Sequence, residues 1–231
     1  MRDLLGAPSP ELRELLPAST YNRILASATY KRYTNGQLIH SRGTQRPGMS
    51  VIHCGAVNVG VIGLDGSYLT TSQLPEGQCF GEHTVFAELP RTHDVSAVGQ
   101  TEIYEISKSV LLRLIDEEPK LARALLTIST ARLHGILEFM DDLRRLPLEV
   151  RVAKFIFNAV DDSRSISVKQ QDLSFTFGVS RVSMGKALKR LERLGLLTLG
   201  YGKIDLPDEN RLQAWLEGKM LVTPLRANLG N

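Results

Sequence analysis

Two stretches of this 231-residue chain carry side chains in patterns suited to binding chemistry. The first is Phe80-Gly81-Glu82-His83, followed after a gap by Pro90-Arg91-Thr92-His93. It offers a glycine turn with backbone N–H groups, a carboxylate acceptor, a guanidinium and a hydroxyl. That set suits a cyclic nucleotide: Arg91 and Thr92 for the cyclic phosphate, Glu82 for the ribose 2′-OH, amides near Gly81 for a remaining oxygen. A salt-bridged surface turn would use the same residue types. The second stretch runs from Gln170 to Gly195. Leu173 and Phe177 lie one helical turn apart, Gly178 supplies a sharp turn, and Ser180 is a fitting N-cap for a new helix. Met184, Leu188 and Leu191 form the apolar stripe of that helix, leaving Arg181, Ser183, Lys186, Lys189 and Arg190 off it. A short helix, a glycine turn and a basic second helix make a helix-turn-helix, whose second helix presents its N-terminal residues to base edges of double-stranded DNA. Arg181, one residue past the cap, can donate two hydrogen bonds to guanine O6 and N7. Ser180, Ser183 and Lys189 suit phosphate contacts, which position without reading sequence. A helical hairpin for protein contact is the alternative.

Charge follows the same division. The net charge is +3, but residues 1–147 carry 15 Lys/Arg against 16 Asp/Glu, whereas residues 148–231 carry 13 against 9. Between 180 and 203 six basic residues face a single acid, Glu192. A cluster that dense is an electrostatic footprint for a phosphate backbone, or else a solvated helix face.

The flanking elements form an α+β pattern. Apolar positions at helical spacing mark residues 10–28. From about 30 to 107, short runs (Gln37–His40, Ser50–His53, Val57–Ile62, Leu69–Leu74, Asp94–Val98, Ile103–Ile106) alternate with Asn35-Gly36, Pro47-Gly48, Cys54-Gly55, Asp65-Gly66 and Glu76-Gly77. Short strands punctuated this often by glycine predict an antiparallel β-roll, jelly-roll-like, with Asp65-Gly66 as its best hairpin turn. A helix over Ser109–Glu118 ends before Pro119, and a long one follows to Arg145. On it Leu126, Ser129, Leu133, Ile136, Met140 and Leu143 make one seam, and Leu121, Leu125, Ile128, Arg132, Gly135 and Phe139 a second. Two adjacent stripes call for two partners, the roll and a second copy of the helix, so a homodimer is expected. Leu146-Pro147 marks a boundary. Beyond it a helix (148–160), a polar turn at Asp161-Asp162, a strand at Ile166–Val168, the two helices above, a hairpin through Gly200-Tyr201-Gly202-Lys203 and a last helix near Trp215 are expected. The hairpin forms a wing with Lys203 near the DNA backbone. The domain expectation is 1–118 sensor roll, 119–147 dimerisation helix and hinge, and 148–231 winged helix-turn-helix.

Other chemistries find little to work with. Cys54 and Cys79 make no disulfide framework and are too few for an iron–sulfur cluster, and the five scattered histidines suggest no haem or metal site. A catalytic pair of Cys79 and His83 is disfavoured against a packed Cys79, and no nucleotide-hydrolysing loop is present, so an enzyme is not expected. The N-terminus lacks a signal-peptide run and no apolar stretch is long enough to span a membrane, which points to a cytoplasmic protein.

Taken together, residues 10–216 resemble the CRP/FNR family of dimeric transcription regulators: β-roll, long dimer helix and winged helix-turn-helix. The stretch Gly81-Glu82, then Pro90-Arg91-Thr92, is similar to the family's phosphate-binding cassette, which implies a cyclic nucleotide effector, cAMP or cGMP. Two residues depart from it: His83 replaces an aliphatic residue and His93 a small alanine. Where the cAMP receptors carry a Thr-Ser pair facing the purine, this chain has Ile136 and Leu137, leaving packing and Arg132 or Glu138 to hold the base. Sites without dedicated hydrogen-bond partners discriminate weakly, so cAMP and cGMP are expected to bind within about tenfold of each other. In the reading helix Ser180-Arg181-Val182-Ser183-Met184-Gly185-Lys186, Arg181 matches the family's guanine reader. Val182 replaces the glutamate that accepts from cytosine, and Lys186 replaces an arginine. The resemblance implies a pseudo-palindromic half-site that keeps the guanine and loses the C·G preference beside it. It also implies contact with RNA polymerase, and a ligand-driven population shift relayed through the Leu143–Pro147 hinge. Two alternatives stand: a ligand-independent regulator with a degenerate roll, and a cyclic-nucleotide module acting on a protein partner.

Overall fold

The computed structural model describes residues 9–63, 66–160 and 163–219. The Asp65-Gly66 hairpin turn therefore lies partly, and Asp161-Asp162 wholly, outside the described residues. Contacts separate two units, one ending at Leu137 and the other beginning at Glu138, so the division falls within the long helix rather than at its start.

The first unit opens with α1 (Leu12–Leu15) and α2 (Ala18–Ala26) and then turns to strands. These are β1 (Thr29–Tyr33), β2 (Leu38–His40), β3 (Gly48–Ile62), β4 (Tyr68–Pro75) and β5 (Cys79–Phe80). After α3 (Glu82–Phe86) comes β6 (Asp94–Ser107), then α4 (Lys108–Glu117) and α5 (Pro119–Arg145). The sheet runs β1-β6-β3-β4, with β2 also paired to β6 and β5 to β3, and every pairing is antiparallel. The fold class is the expected α+β, a roll followed by a long helix.

One expected turn is a bulge. Ser50–His53 and Val57–Ile62 belong to one strand, β3, which continues through Cys54-Gly55. There the register against β6 shifts on both sides of Cys54, and Gly55 takes φ of +83°. Asp94–Val98 and Ile103–Ile106 likewise join as β6. An extra residue on one strand bends the sheet without reversing it, and a glycine supplies the positive φ. A Cβ on Gly55 would stand 2.5 Å from the Gln100 carbonyl oxygen. Gly55→Ala should therefore destabilise by about 2 kcal/mol or more, read from the urea midpoint at constant slope. The expectation also lacked β1, β5 and α3. Four of the five β1 residues are exposed, so the run Thr-Tyr-Lys-Arg-Tyr has no alternating apolar face to announce it.

Ser107 caps α4 by accepting from the Val110 amide. Pro119, expected only as a stop, is also the first residue of α5, where its missing N–H costs nothing. Along α5 the stripe Leu121, Ala124, Leu125 and Ile128 is buried with Leu12, Ile24, Met49, Val51, Ile106 and Leu111. The other seam stays bare: Leu126 is 64% and Leu133 54% exposed. A second cluster inside the roll joins Ile52, Val57, Leu74, Phe80, Val95 and Ile103.

The second unit takes the end of α5, then α6 (Leu148–Ala159), β7 (Ser165–Ser167), α7 (Gln170–Thr176) and α8 (Arg181–Arg193). It closes with β8 (Thr198–Gly200), β9 (Lys203–Asp205) and α9 (Glu209–Lys219). The wing is larger than the expected hairpin, because β7 joins it in a three-stranded sheet ordered β7-β9-β8. The Phe177 ring packs against Phe139 and Phe155, with centroids 5.5 and 5.6 Å away.

Candidate functional site

The first unit holds a half-open cavity of about 200 Å³, walled by the roll and by α5. Gly81, His83, Arg91, Thr92, Arg132 and Ile136 all line it, so residues from 81 to 136 meet around one volume. Leu137 does not line it and is 54% exposed.

Gly81 precedes α3 with φ of +88°, and a Cβ there would stand 2.6 Å from both Arg91 Nη1 and the Gly48 carbonyl oxygen. Only glycine lets the turn and the guanidinium share that space. Arg91 is 6% exposed. Its Nη2 donates to the Gly48 carbonyl at 3.3 Å and to the Arg46 carbonyl at 3.5 Å, Nε meets no acceptor, and it forms no ion pair among the described residues. Burial pulls its pKa below the ordinary arginine value, partly opposed by Glu105 and Glu82. A buried guanidinium without a carboxylate partner is costly unless an anion completes it.

Glu82 is 3% exposed. Its Oε1 pairs with Arg132 Nη1 at 2.7 Å, while Oε2 is buried without a hydrogen-bond partner. Arg132 also donates to the Cys79 carbonyl at 2.7 Å and to Gln78 Oε1 at 3.3 Å. Arg132, expected to help hold a base, lines the cavity and pairs with Glu82, leaving one carboxylate oxygen over. His83 and His93 both line the cavity, and the Thr92 hydroxyl lies 2.9 Å from His93 Nδ1.

In the second unit Ser180 Oγ accepts from the Ser183 amide at 3.1 Å, the expected cap. Gln170 Nε2 donates to the Arg181 carbonyl at 2.8 Å, tying α7 to the first turn of α8. Met184, Ala187, Leu188 and Leu191 are buried, and Gly178 takes φ of +61° at the turn. Arg181, Val182, Ser183, Lys186 and Lys189 are exposed, with Val182 at 67%. Arg190 differs from the others on its helix, since its guanidinium reaches Glu149 at 3.3 Å. On the wing Lys203 pairs with Asp205 at 2.7 Å, and Tyr201 stands fully exposed at the tip.

Residues 30–118 match the family model described as "Cyclic nucleotide-binding domain", and residues 150–215 match "Crp-like helix-turn-helix domain". The chain is 26% identical to the HTH-type transcriptional regulator Cmr of Mycobacterium tuberculosis, over 80% of this chain and 75% of the other. It is also 26% identical to the cAMP-activated global transcriptional regulator Vfr of Pseudomonas aeruginosa, over 82% and 91%. The solved structure of CLP, a c-di-GMP responsive global regulator of Xanthomonas campestris, shares its fold, with TM-score 0.66 at 24% identity, covering 82% of this chain and 99% of that one. The chain belongs to the CRP/FNR family of transcription regulators.

For a CRP/FNR sensor roll, several lining residues escaped the sequence reading. Ser72, Val59 and Val95 form one row across β4, β3 and β6, and all three line the cavity. Their alternation in the strands is legible, but the register that sets them side by side is not. Leu74, Phe80 and Gly135 are also in the wall. In this CRP/FNR roll Cys79 is buried, which pushes its thiol up to about 12 and keeps it protonated at neutral pH. His40 lies near the cavity, 3.3 Å from Ser50 Oγ and edge-on to Phe80. Burial, helped by the positive charge of Arg91, lowers its pKa to about 4. The unfolded chain thus binds this proton more readily than the folded one. Stability from neutral His40 is full above about pH 6.5 and declines toward pH 4. Thermal midpoints across that window should fall less steeply in His40→Gln than in the parent.

Proposed function

We propose that the chain is a cytoplasmic, cyclic-nucleotide-responsive regulator that binds a pseudo-palindromic DNA site as a homodimer. The observation that carries the effector reading is the pair of incomplete buried groups on one cavity: the Arg91 guanidinium without an ion-pair partner and the unpartnered Oε2 of Glu82. A cyclic nucleotide supplies what both lack, an anionic phosphate for Arg91 and a ribose hydroxyl donor for Glu82. Thr92, Gly81 and His83 line the same wall, and Arg132 positions Glu82. Ile136 offers only apolar packing to the base, so cAMP and cGMP bind within about tenfold of each other. Calorimetric titration with each tests this; binding of neither, or a hundredfold gap between them, contradicts it.

The bare seam of α5, with Leu126, Leu133, Ile136 and Met140 exposed, supports a second copy of helix 119–145 as partner. Leu137 is exposed beside that seam and belongs with the interface or the ligand of the neighbouring copy. In the duplex, Arg181 reads a guanine, Val182 contacts a thymine methyl, and Ser180, Ser183, Lys186, Lys189 and Lys203 hold phosphates. Selection from random duplexes should recover half-sites with that guanine and without a paired cytosine preference at the neighbouring position. RNA polymerase is the expected protein partner of the bound dimer.

A further inference from the structure

We infer that His93 is a positioning residue for the ligand, acting through Thr92 as a proton-dependent gate on the Thr92 hydroxyl. This rests on the reading that the cavity takes a cyclic nucleotide. Thr92 Oγ1 and His93 Nδ1 are 2.9 Å apart, and both residues line the cavity with Arg91. One hydrogen bond of that length has two possible directions, and they have opposite consequences for an anion. When Nδ1 bears the lone pair, the hydroxyl donates to it and has no hydrogen left for a ligand. When Nδ1 carries a hydrogen, the hydroxyl accepts and its own hydrogen turns to the cavity. A cyclic phosphodiester has acceptors only and carries one negative charge throughout the neutral range, so it selects the second arrangement.

Either the neutral Nδ1–H tautomer or the imidazolium supplies that hydrogen, and the charge of a bound phosphate favours the imidazolium. Around His93 stand Arg42, His83 and Asp94, with Arg91 across the cavity wall. Burial, Arg42 and His83 hold the imidazole below its ordinary pKa, and Asp94 opposes them. Asp94 is itself buried and already accepts from the Arg42 amide at 2.9 Å, so the imidazole is neutral in the free protein at pH 7.5 and above. A phosphate brought beside Arg91 and Thr92 adds the negative charge that the imidazolium lacks. Ligand binding then draws a proton onto His93, and affinity rises as pH falls toward 6.

The test is calorimetry of the full chain with cAMP between pH 6 and 8, in buffers of different ionisation enthalpy. The parent should take up a proton near pH 6.5 and bind about fivefold more tightly at pH 6 than at pH 8. His93→Ala should bind with no pH dependence and no proton uptake. His93→Asn, whose amide donates at every pH, should hold its pH 8 affinity near the parent's pH 6 value. His83→Ala must keep the pH dependence, since His83 is the other imidazole that lines the cavity. Proton uptake that survives His93→Ala, or vanishes in His83→Ala, overturns the inference while leaving the cyclic-nucleotide reading intact. Failure of both cAMP and cGMP to bind at any pH overturns that reading and this inference with it.

Discussion

Replacing Arg91 with alanine should weaken cyclic-nucleotide binding by about a hundredfold or more, with the roll still folded. The size follows from where the guanidinium sits. It is buried beside Gly81, it has no carboxylate, and its Nε meets no acceptor. The phosphate is then its main electrostatic partner, at a site where water screens little. Its contacts with the Gly48 and Arg46 carbonyls are the structural cost of the change, about 1–2 kcal/mol for two long hydrogen bonds. Thermal denaturation without ligand should therefore move by only a few degrees while calorimetry loses the nucleotide signal. Arg91→Lys separates charge from shape. An ammonium keeps the charge but not the planar fork, so binding should fall between the parent and the alanine variant. Full affinity in Arg91→Ala would mean that the phosphate lies elsewhere.

On the DNA side, Arg181→Ala should weaken binding to the selected site by about 10- to 100-fold and flatten the preference at its guanine. Arg181 is exposed on the first turn of α8, with its backbone fixed by Gln170 and by the Ser180 cap. The guanidinium therefore projects from a rigid base rather than a loose one, and bidentate recognition depends on that. Lys189→Ala is the contrast. A phosphate contact should be lost on every sequence alike, with the salt slope lowered by about one. Competition titrations at two salt concentrations, with parent and guanine-substituted duplexes, distinguish the two kinds of residue. If Arg181→Ala weakened all sequences equally, it would be another phosphate contact.

The sequence was most legible where a property is local. The cap at Ser180, the turn at Gly178 and the buried Met184-Leu188-Leu191 stripe depend on neighbours a few positions away, and each is found in the expected place. The two stripes of α5 were legible for the same reason, one buried and one exposed. What stayed hidden was non-local. Gly55 reads as a turn because glycine permits a positive φ in turns and bulges alike, and only the β3–β6 register tells them apart. The salt bridge from Arg132 to Glu82 joins residues 50 apart, so no local pattern announces it. β7 entered the wing through pairing with β9, again a distant partner. Tyr201, fully exposed between Gly200 and Gly202, reads in the sequence only as part of a turn. Its place at the tip of the wing emerges once β8 and β9 are set side by side.

The most direct measurement of ligand control over DNA binding is a fluorescence-anisotropy titration of a selected duplex with the full chain. It should be made without nucleotide, with cAMP, with cGMP, and with either nucleotide plus Arg91→Ala. A cyclic nucleotide should tighten binding by about tenfold or more, a coupling of about 1.4 kcal/mol, and Arg91→Ala should remove the effect while keeping the weak unliganded affinity. Equal DNA affinity with and without either nucleotide, in a protein that binds the duplex tightly, would contradict the account and leave the roll as scaffold alone.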